Sequence, residues 1–137
     1  MYKRRPKVGV GIIVRKDNKV LVGKRKSKHG KETWGFPGGH LEFMESIEDC
    51  VTREVFEETS ILVKNIKFAS LTNDLFKDSN KHYITIYMVC DFHKGKVKNT
   101  EPDKSGKWHW FAWNELPTPL FLPITNLLIQ KYDPFKE

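Results

Sequence analysis

The stretch from Gly39 to Ile61 constrains this chain more than any other. Gly39 is followed after five residues by Glu45, and after seven more by Arg53-Glu54-Val55-Phe56-Glu57-Glu58-Thr59-Ser60-Ile61. Ser46 is a good N-cap, and Glu48 and Asp49 suit the positive end of a helix dipole, so a helix is predicted from about Ser46 to Thr59. At roughly 100° per residue, Glu54, Glu57 and Glu58 share a sector that overlaps the one holding Ile47, Val51 and Val55. Asp49, Thr52 and Arg53 fall on the far side. A solvated acidic face would sit opposite the apolar stripe, so these carboxylates are expected to point inward. Like charges enclosed together repel unless a cation neutralises them. Mg²⁺, which prefers carboxylate, water and phosphate oxygens, is the natural choice.

The charge distribution agrees. Residues 42–58 hold seven carboxylates and one base, a local charge of −6, whereas the other 120 residues carry 23 bases and 10 acids, or +13. A compact anionic cluster in a basic protein suggests a cation held where an anionic substrate is drawn in. Nucleotides, diphosphate esters and nucleic acid all qualify. At 137 residues and 39% apolar content, the chain is read as one folded domain, 1–137. No stretch approaches the roughly 18 apolar residues of a membrane span, and Met1 to Arg5 lead into no signal-type core. Cys50 and Cys90 make no metal-type spacing and are expected to be reduced and buried, in a cytoplasmic or otherwise reducing compartment.

Around the helix, strands are predicted at Val8–Val14 and Val20–Val22, joined by turn chemistry at Asp17-Asn18. Lys24–Lys31 reads as a basic loop. Trp34–Phe36 is a short apolar piece stopped by Pro37-Gly38-Gly39. Ile61–Leu75 alternates like a strand, Tyr83–Phe92 is the clearest strand, and Trp108–Trp113 alternates aromatics with other residues. A second helix is expected at Pro123–Tyr132. Strands interleaved with two helices indicate an α/β fold, a mixed sheet covered by helices.

The spacing resembles the signature of the Nudix hydrolases, G-x5-E-x7-R-E-U-x-E-E-x-G-U with U aliphatic. Every fixed position matches except the second glycine, which is Ser60. Gly23-Lys24-Arg25-Lys26, Gly38-Gly39-His40-Leu41-Glu42-Phe43, Asn99-Thr100-Glu101-Pro102 and Tyr132-Asp133-Pro134-Phe135 resemble one branch of that family. The branch includes the animal nucleoside-triphosphate diphosphatase and a plant cytosolic enzyme active on oxidised guanine nucleotides and prenyl diphosphates. The resemblance implies an α/β/α sandwich and attack of water on a phosphorus of a diphosphate. It implies that Glu54, Glu57 and Glu58, with the carbonyl of Gly38, hold Mg²⁺ (Mn²⁺ as substitute), and that Arg53 pairs with Glu45 to tie the loop to the helix. One glutamate of the cluster would accept the water proton. A homodimer is implied by the branch alone.

On the substrate side, Arg25 is the choice for phosphate, because its planar fork fits two phosphate oxygens. Gly39 and His40, beside the metal loop, are expected to contact substrate or water. Thr85 either hydrogen-bonds a base or packs within its strand. Phe121 either stacks on a base or belongs to the core. Gly35 and Leu122 stand where relatives carry larger or aromatic residues, which predicts a wider, more apolar pocket. The leading expectation is Mg²⁺-dependent hydrolysis of nucleoside triphosphates, oxidised ones such as 8-oxo-dGTP among them, to monophosphate and pyrophosphate. The alternatives are prenyl diphosphates, dinucleotides or nucleotide sugars, then RNA cap removal or a silent binding module. The excess of positive charge allows an RNA role, but the sequence carries no dedicated nucleic-acid motif.

Overall fold

In the computed structural model, which describes residues 3–136, seven strands form one mixed sheet. β1 (Lys7–Lys16) and β2 (Lys19–Arg25) make the expected hairpin, with Arg15 opposite Val20 and Lys16 opposite Lys19. Asp17 and Asn18 turn it at φ 51° and 62°. Left-handed backbone at both turn residues lets a two-residue turn follow the natural strand twist. β3 (Trp34–Gly35) pairs with β2. β5 (Leu62–Phe76) and β6 (Lys81–Lys94) form a long hairpin, and β6 runs parallel to β1, placing Lys7 opposite Tyr83. β7 (Ser105–Ala112) pairs antiparallel with β2.

One expected break is instead a strand. Gly38–His40 form β4, antiparallel to β1, with Gly38 opposite Gly11 and His40 opposite Gly9. A methyl group on Gly38 would overlap the Val10 carbonyl, so the bare glycine backbone is what allows this approach.

Alternation along the central strands feeds two cores. Val10, Ile12 and Val14 of β1, Leu21 of β2, and Met88 and Cys90 of β6 pack with Cys50, Val51 and Val55 of α1 (Ile47–Thr59). Ile13, Val20, Val22, Tyr87 and Val89 form the other core with Ile124 and Leu127 of α2 (Leu122–Ile129). The sheet thus lies between two helices, the α/β/α sandwich expected. Ile12, Ile13 and Leu21 are fully buried, and each such side chain contributes about 1.5–3 kcal/mol. α2 ends earlier than expected, because Lys131 turns to φ 61°, which a right-handed helix cannot continue. Tyr132 still packs against Trp113, ring centroids 6.4 Å apart. Cys50 and Cys90 are free and buried, and burial pushes both thiols up to about 12. No helix among the described residues is long and apolar enough to cross a membrane.

Candidate active site

Both ends of α1 are fastened. Ser46 Oγ accepts from the Asp49 N–H at 3.1 Å, the cap its position predicts. At the other end, Ser60 sits at φ 67°, ψ 12°, and its N–H donates to the Phe56 carbonyl at 2.9 Å. This is the left-handed geometry that glycine adopts without strain, so serine bears a cost here. The segment after β6 caps the last carbonyls. Lys98 N–H donates to Thr59 O at 2.9 Å, Thr100 N–H to Glu58 O at 3.3 Å, and the Thr100 hydroxyl to Glu57 O. These bonds hold the turn that carries the glutamates.

Glu54 lies against Gly39 so closely that any Cβ there would overlap its carboxylate. Glu58 Oε1 accepts from the Gly38 N–H at 3.2 Å. Burial, followed by a shared hydrogen bond with Glu54 and its charge, pushes Glu58 up to about 9. Glu57 behaves differently. Its side chain is 51% exposed and leans toward Arg53 Nη1 at 3.5 Å.

Arg53 is not turned away, contrary to its helical azimuth. Its Nε donates to Glu45 Oε2 at 2.7 Å and its Nη2 to Glu45 Oε1 at 3.0 Å, while Nη1 meets Glu54. Nη2 also donates to the His40 carbonyl at 3.3 Å. A long side chain crosses the angular gap that Cα geometry alone predicts, and the planar fork rewards it with a bidentate pair. The fork holds the Glu45 carboxyl down to about 2 and raises the Arg53 pKa in return. The loop is thereby tied to the helix.

Among the described residues no three carboxylate, imidazole or thiol groups converge on one point as metal ligands. Glu57, turned to Arg53, is the member displaced. The donor chemistry nevertheless fits a hard divalent cation. All donors are oxygens, and Glu54 and Glu58 are a half-buried pair in which burial and the neighbouring carboxylate push Glu58 up. A cation between them would relieve that repulsion.

The three glutamates line a cavity of about 820 Å³ together with Gly39, His40, Arg25, Thr85 and Phe121. The Arg25 guanidinium lies 3.9 Å over the Phe121 ring and donates to the His29 carbonyl at 3.0 and 3.1 Å. Burial lowers its pKa. His40 Nε2 is 3.1 Å from the Tyr83 hydroxyl, the two rings stacked at 5.6 Å. Thr85 spends its proton on Asp74 Oδ2 at 2.6 Å, in a buried network completed by Thr72 and Asn126. Gly35 also lines the cavity, and a Cβ there would meet Arg25 and Phe121 no closer than 3.4 Å. Leu122 does not line it, although Phe121 and Pro123 on either side do. The chain enters α2 at this point, and successive side chains turn about 100° apart.

Several lining residues escape a sequence reading. His29, Phe76 and Tyr83 join Phe121 in a ring cluster, with His29 at 4.3 Å from Phe76 and 5.3 Å from Tyr83. Lys7, Lys81 and Lys104 also line the cavity. Burial, then the charges of Arg25 and Lys81, push His29 down to about 4, so it is neutral near pH 7. His29 Nδ1 and Trp108 Nε1, both on lining residues, are buried without a hydrogen-bond partner. His29 falls in the basic loop Lys24–Lys31 and Tyr83 opens the strand Tyr83–Phe92, but neither pattern marks a cavity wall.

Residues 4–131 match the sequence profile described as the NUDIX domain. The chain belongs to the Nudix family. It is 34% identical over 116 residues to an ADP-ribose pyrophosphatase of Methanocaldococcus jannaschii, covering 85% of this chain and 68% of that protein. It is 32% identical to the NAD-capped RNA hydrolase NudC of Vibrio parahaemolyticus, over 77% of this chain and only 38% of that protein. A crystal structure of a MutT NUDIX hydrolase from Burkholderia pseudomallei matches with a TM-score of 0.84 at 26% identity, covering 94% of this chain and 98% of that one. This Nudix protein is therefore a hydrolase of diphosphate bonds, in a family that generally uses Mg²⁺ or Mn²⁺. These two relatives are named for substrates other than the oxidised guanine nucleotides of the expected branch.

Proposed function

We propose that this Nudix hydrolase cleaves nucleoside triphosphates, non-standard or oxidised ones among them, to a monophosphate and pyrophosphate. The observation that carries this is the half-buried Glu54–Glu58 pair opening into the same cavity as Arg25 and the His29, Tyr83 and Phe121 rings. Glu54, Glu57, Glu58 and the Gly38 carbonyl would hold Mg²⁺ or Mn²⁺. When bound, the ion would neutralise diphosphate charge and lower the pKa of the attacking water. Arg25 orients phosphate oxygens and the ring cluster receives the base. The unpartnered Trp108 indole N–H supports a polar ligand in the cavity, since buried donors are normally satisfied. The water oxygen forms a bond to phosphorus, the bridging P–O bond breaks, and its oxygen leaves with pyrophosphate. A glutamate of the cluster takes the proton. Arg53 and Glu45 touch no substrate and hold the loop in place. On this reading residues 1–137 work as one catalytic domain, in the reducing cytoplasm that the free cysteines suit and as the homodimer that the branch resemblance implies.

A second reading has a specific support. The relative at 34% identity is named an ADP-ribose pyrophosphatase, and a cavity of about 820 Å³ leaves room for a second group beyond the diphosphate. Turnover of guanine and pyrimidine triphosphates, 8-oxo-dGTP, ADP-ribose and a prenyl diphosphate with Mg²⁺ separates the two. The highest kcat/KM is expected on a triphosphate. A tenfold or greater preference for ADP-ribose, about 1.4 kcal/mol, moves the assignment to nucleotide sugars, and no turnover of any of them overturns both.

A further inference from the structure

Asp74 of β5 is fully buried, and three neutral donors meet its carboxylate. Oδ2 accepts from the Thr85 hydroxyl at 2.6 Å and the Thr72 hydroxyl at 3.0 Å, and Oδ1 accepts from Asn126 Nδ2 at 2.9 Å. Asn126 Nδ2 also faces the Asn73 carbonyl at 3.5 Å, so with an acceptor on each side it is the amide nitrogen that points this way. A carboxylate has no hydrogen to offer, and both hydroxyls therefore give it their only proton. Thr85 keeps lone pairs alone. Of these residues, Thr85 is on the wall of the catalytic cavity. Opposite it on β1 stands Gly9, where a Cβ would come 4.0 Å from the Thr85 hydroxyl oxygen. With no side chain on Gly9, that oxygen can be approached from the cavity. The wall thus offers a ligand an acceptor and no donor. A ring nitrogen bearing a hydrogen can bond to it, whereas a bare one sets lone pair against lone pair.

We infer that Asp74 is a positioning residue for substrate choice: by taking the Thr85 proton it leaves Thr85 to select a base whose facing ring nitrogen carries a hydrogen, as in the keto bases. The inference deepens the nucleotide reading above and rests on it for placing a base in the cavity. A site built to bond an N–H rejects the analogue that lacks it far better than an apolar wall does.

The test is calorimetric binding of inosine monophosphate, whose ring nitrogen N1 carries a hydrogen, against purine-riboside monophosphate, whose N1 is bare. Both are of the kind the proposed reaction releases, so binding to the full chain with Mg²⁺ is scored without turnover. The parent should favour the inosine form about tenfold. Thr85→Ser should keep that preference, and Thr85→Val should remove most of it. In Asp74→Asn, Asn126 holds the new amide oxygen, so the new amide nitrogen donates to Thr85 and frees its proton toward the cavity. The preference should then fall to parity or reverse. In the Thr85→Val background Asp74→Asn should change it no further, a coupling that a purely structural knot does not give. Equal affinity for the two monophosphates in the parent overturns the inference, as does failure to bind either. A preference that survives Thr85→Val also overturns it, and this arm decides the matter should Asp74→Asn fail to fold. An Asp74→Asn effect of equal size in the Thr85→Val background overturns it as well, leaving Asp74 a structural role. Absence of triphosphate turnover in the parent, with the monophosphate preference intact, instead strikes the catalytic reading alone.

Discussion

Glu58→Gln keeps the size and most of the hydrogen bonding of a side chain whose carboxyl burial pushes up to about 9. The fold should therefore survive, while turnover drops by at least about 10²-fold with the lost charge. Near-normal kcat in a folded variant at saturating Mg²⁺ would remove Glu58 from the metal site. Two other positions separate what lines the cavity from what merely lies near it. Leu122 does not line the cavity, so Leu122→Trp should leave the ratio of kcat/KM for guanine and pyrimidine triphosphates unchanged. Gly35 does line it, and a Cβ there already touches Arg25 at 3.4 Å, so a longer side chain must displace Arg25 or Phe121. Gly35→Leu should alter that ratio severalfold, within the roughly 1–3 kcal/mol that pocket-filling methylenes decide. Steady-state kinetics on the two variants would expose the reverse pattern at once.

The helix α1 carries the chemistry, and its two caps pull in opposite directions. Ser46→Ala removes the acceptor for the Asp49 N–H and should cost about 1 kcal/mol. Ser60→Gly relieves left-handed backbone at φ 67° and should stabilise the protein by about 0.5–1 kcal/mol, the strain relieved less the extra freedom of the unfolded chain. Urea melts of the two variants should move in opposite directions with unchanged slopes. A Ser60→Gly variant no more stable than the parent would mean that the Glu57, Glu58 and Thr59 carbonyl bonds already impose this geometry without strain. The boundaries of α1 were legible because caps are local chemistry. Those of α2 were less so, since its stop at Lys131 has no glycine or proline to announce it.

For the whole molecule, two groups set opposite slopes of stability with pH. His29 is held near 4 in the fold against an ordinary 6.5, so the unfolded chain binds its proton first and stability falls as pH drops from 6.5 toward 4. Glu58 is raised to about 9 from 4.5, so the fold retains a proton that the unfolded chain releases, and stability falls as pH rises through that window. Between pH 6.5 and 9 only the Glu58 slope remains of the two. The thermal midpoint without metal should decline over that range, and Glu58→Gln should flatten the decline. Saturating Mg²⁺ should raise the midpoint more at pH 9 than at pH 6.5, because a cation binding only the fold stabilises it and no longer competes with the proton. Equal Mg²⁺ effects at both pH values would count against a cation at the Glu54–Glu58 pair.

By itself, the sequence determined α1, its N-cap, the carboxylates it carries and the first hairpin. Each of these depends on residues within a few positions of one another, where periodicity and capping act. The tertiary structure decided the rest. Gly38 and Gly39 became a strand because β1 offered a partner close enough to exclude a Cβ. Arg53 turned back to Glu45 because a loop eight residues away was folded beside it. Lys7 and Tyr83, 76 positions apart in the chain, face each other only through the parallel pairing of β1 with β6. The ring cluster and the cavity arise from that pairing and from the β5–β6 hairpin. Contacts of such separation leave no local period in a sequence, since their energy is realised only after the chain between them has folded.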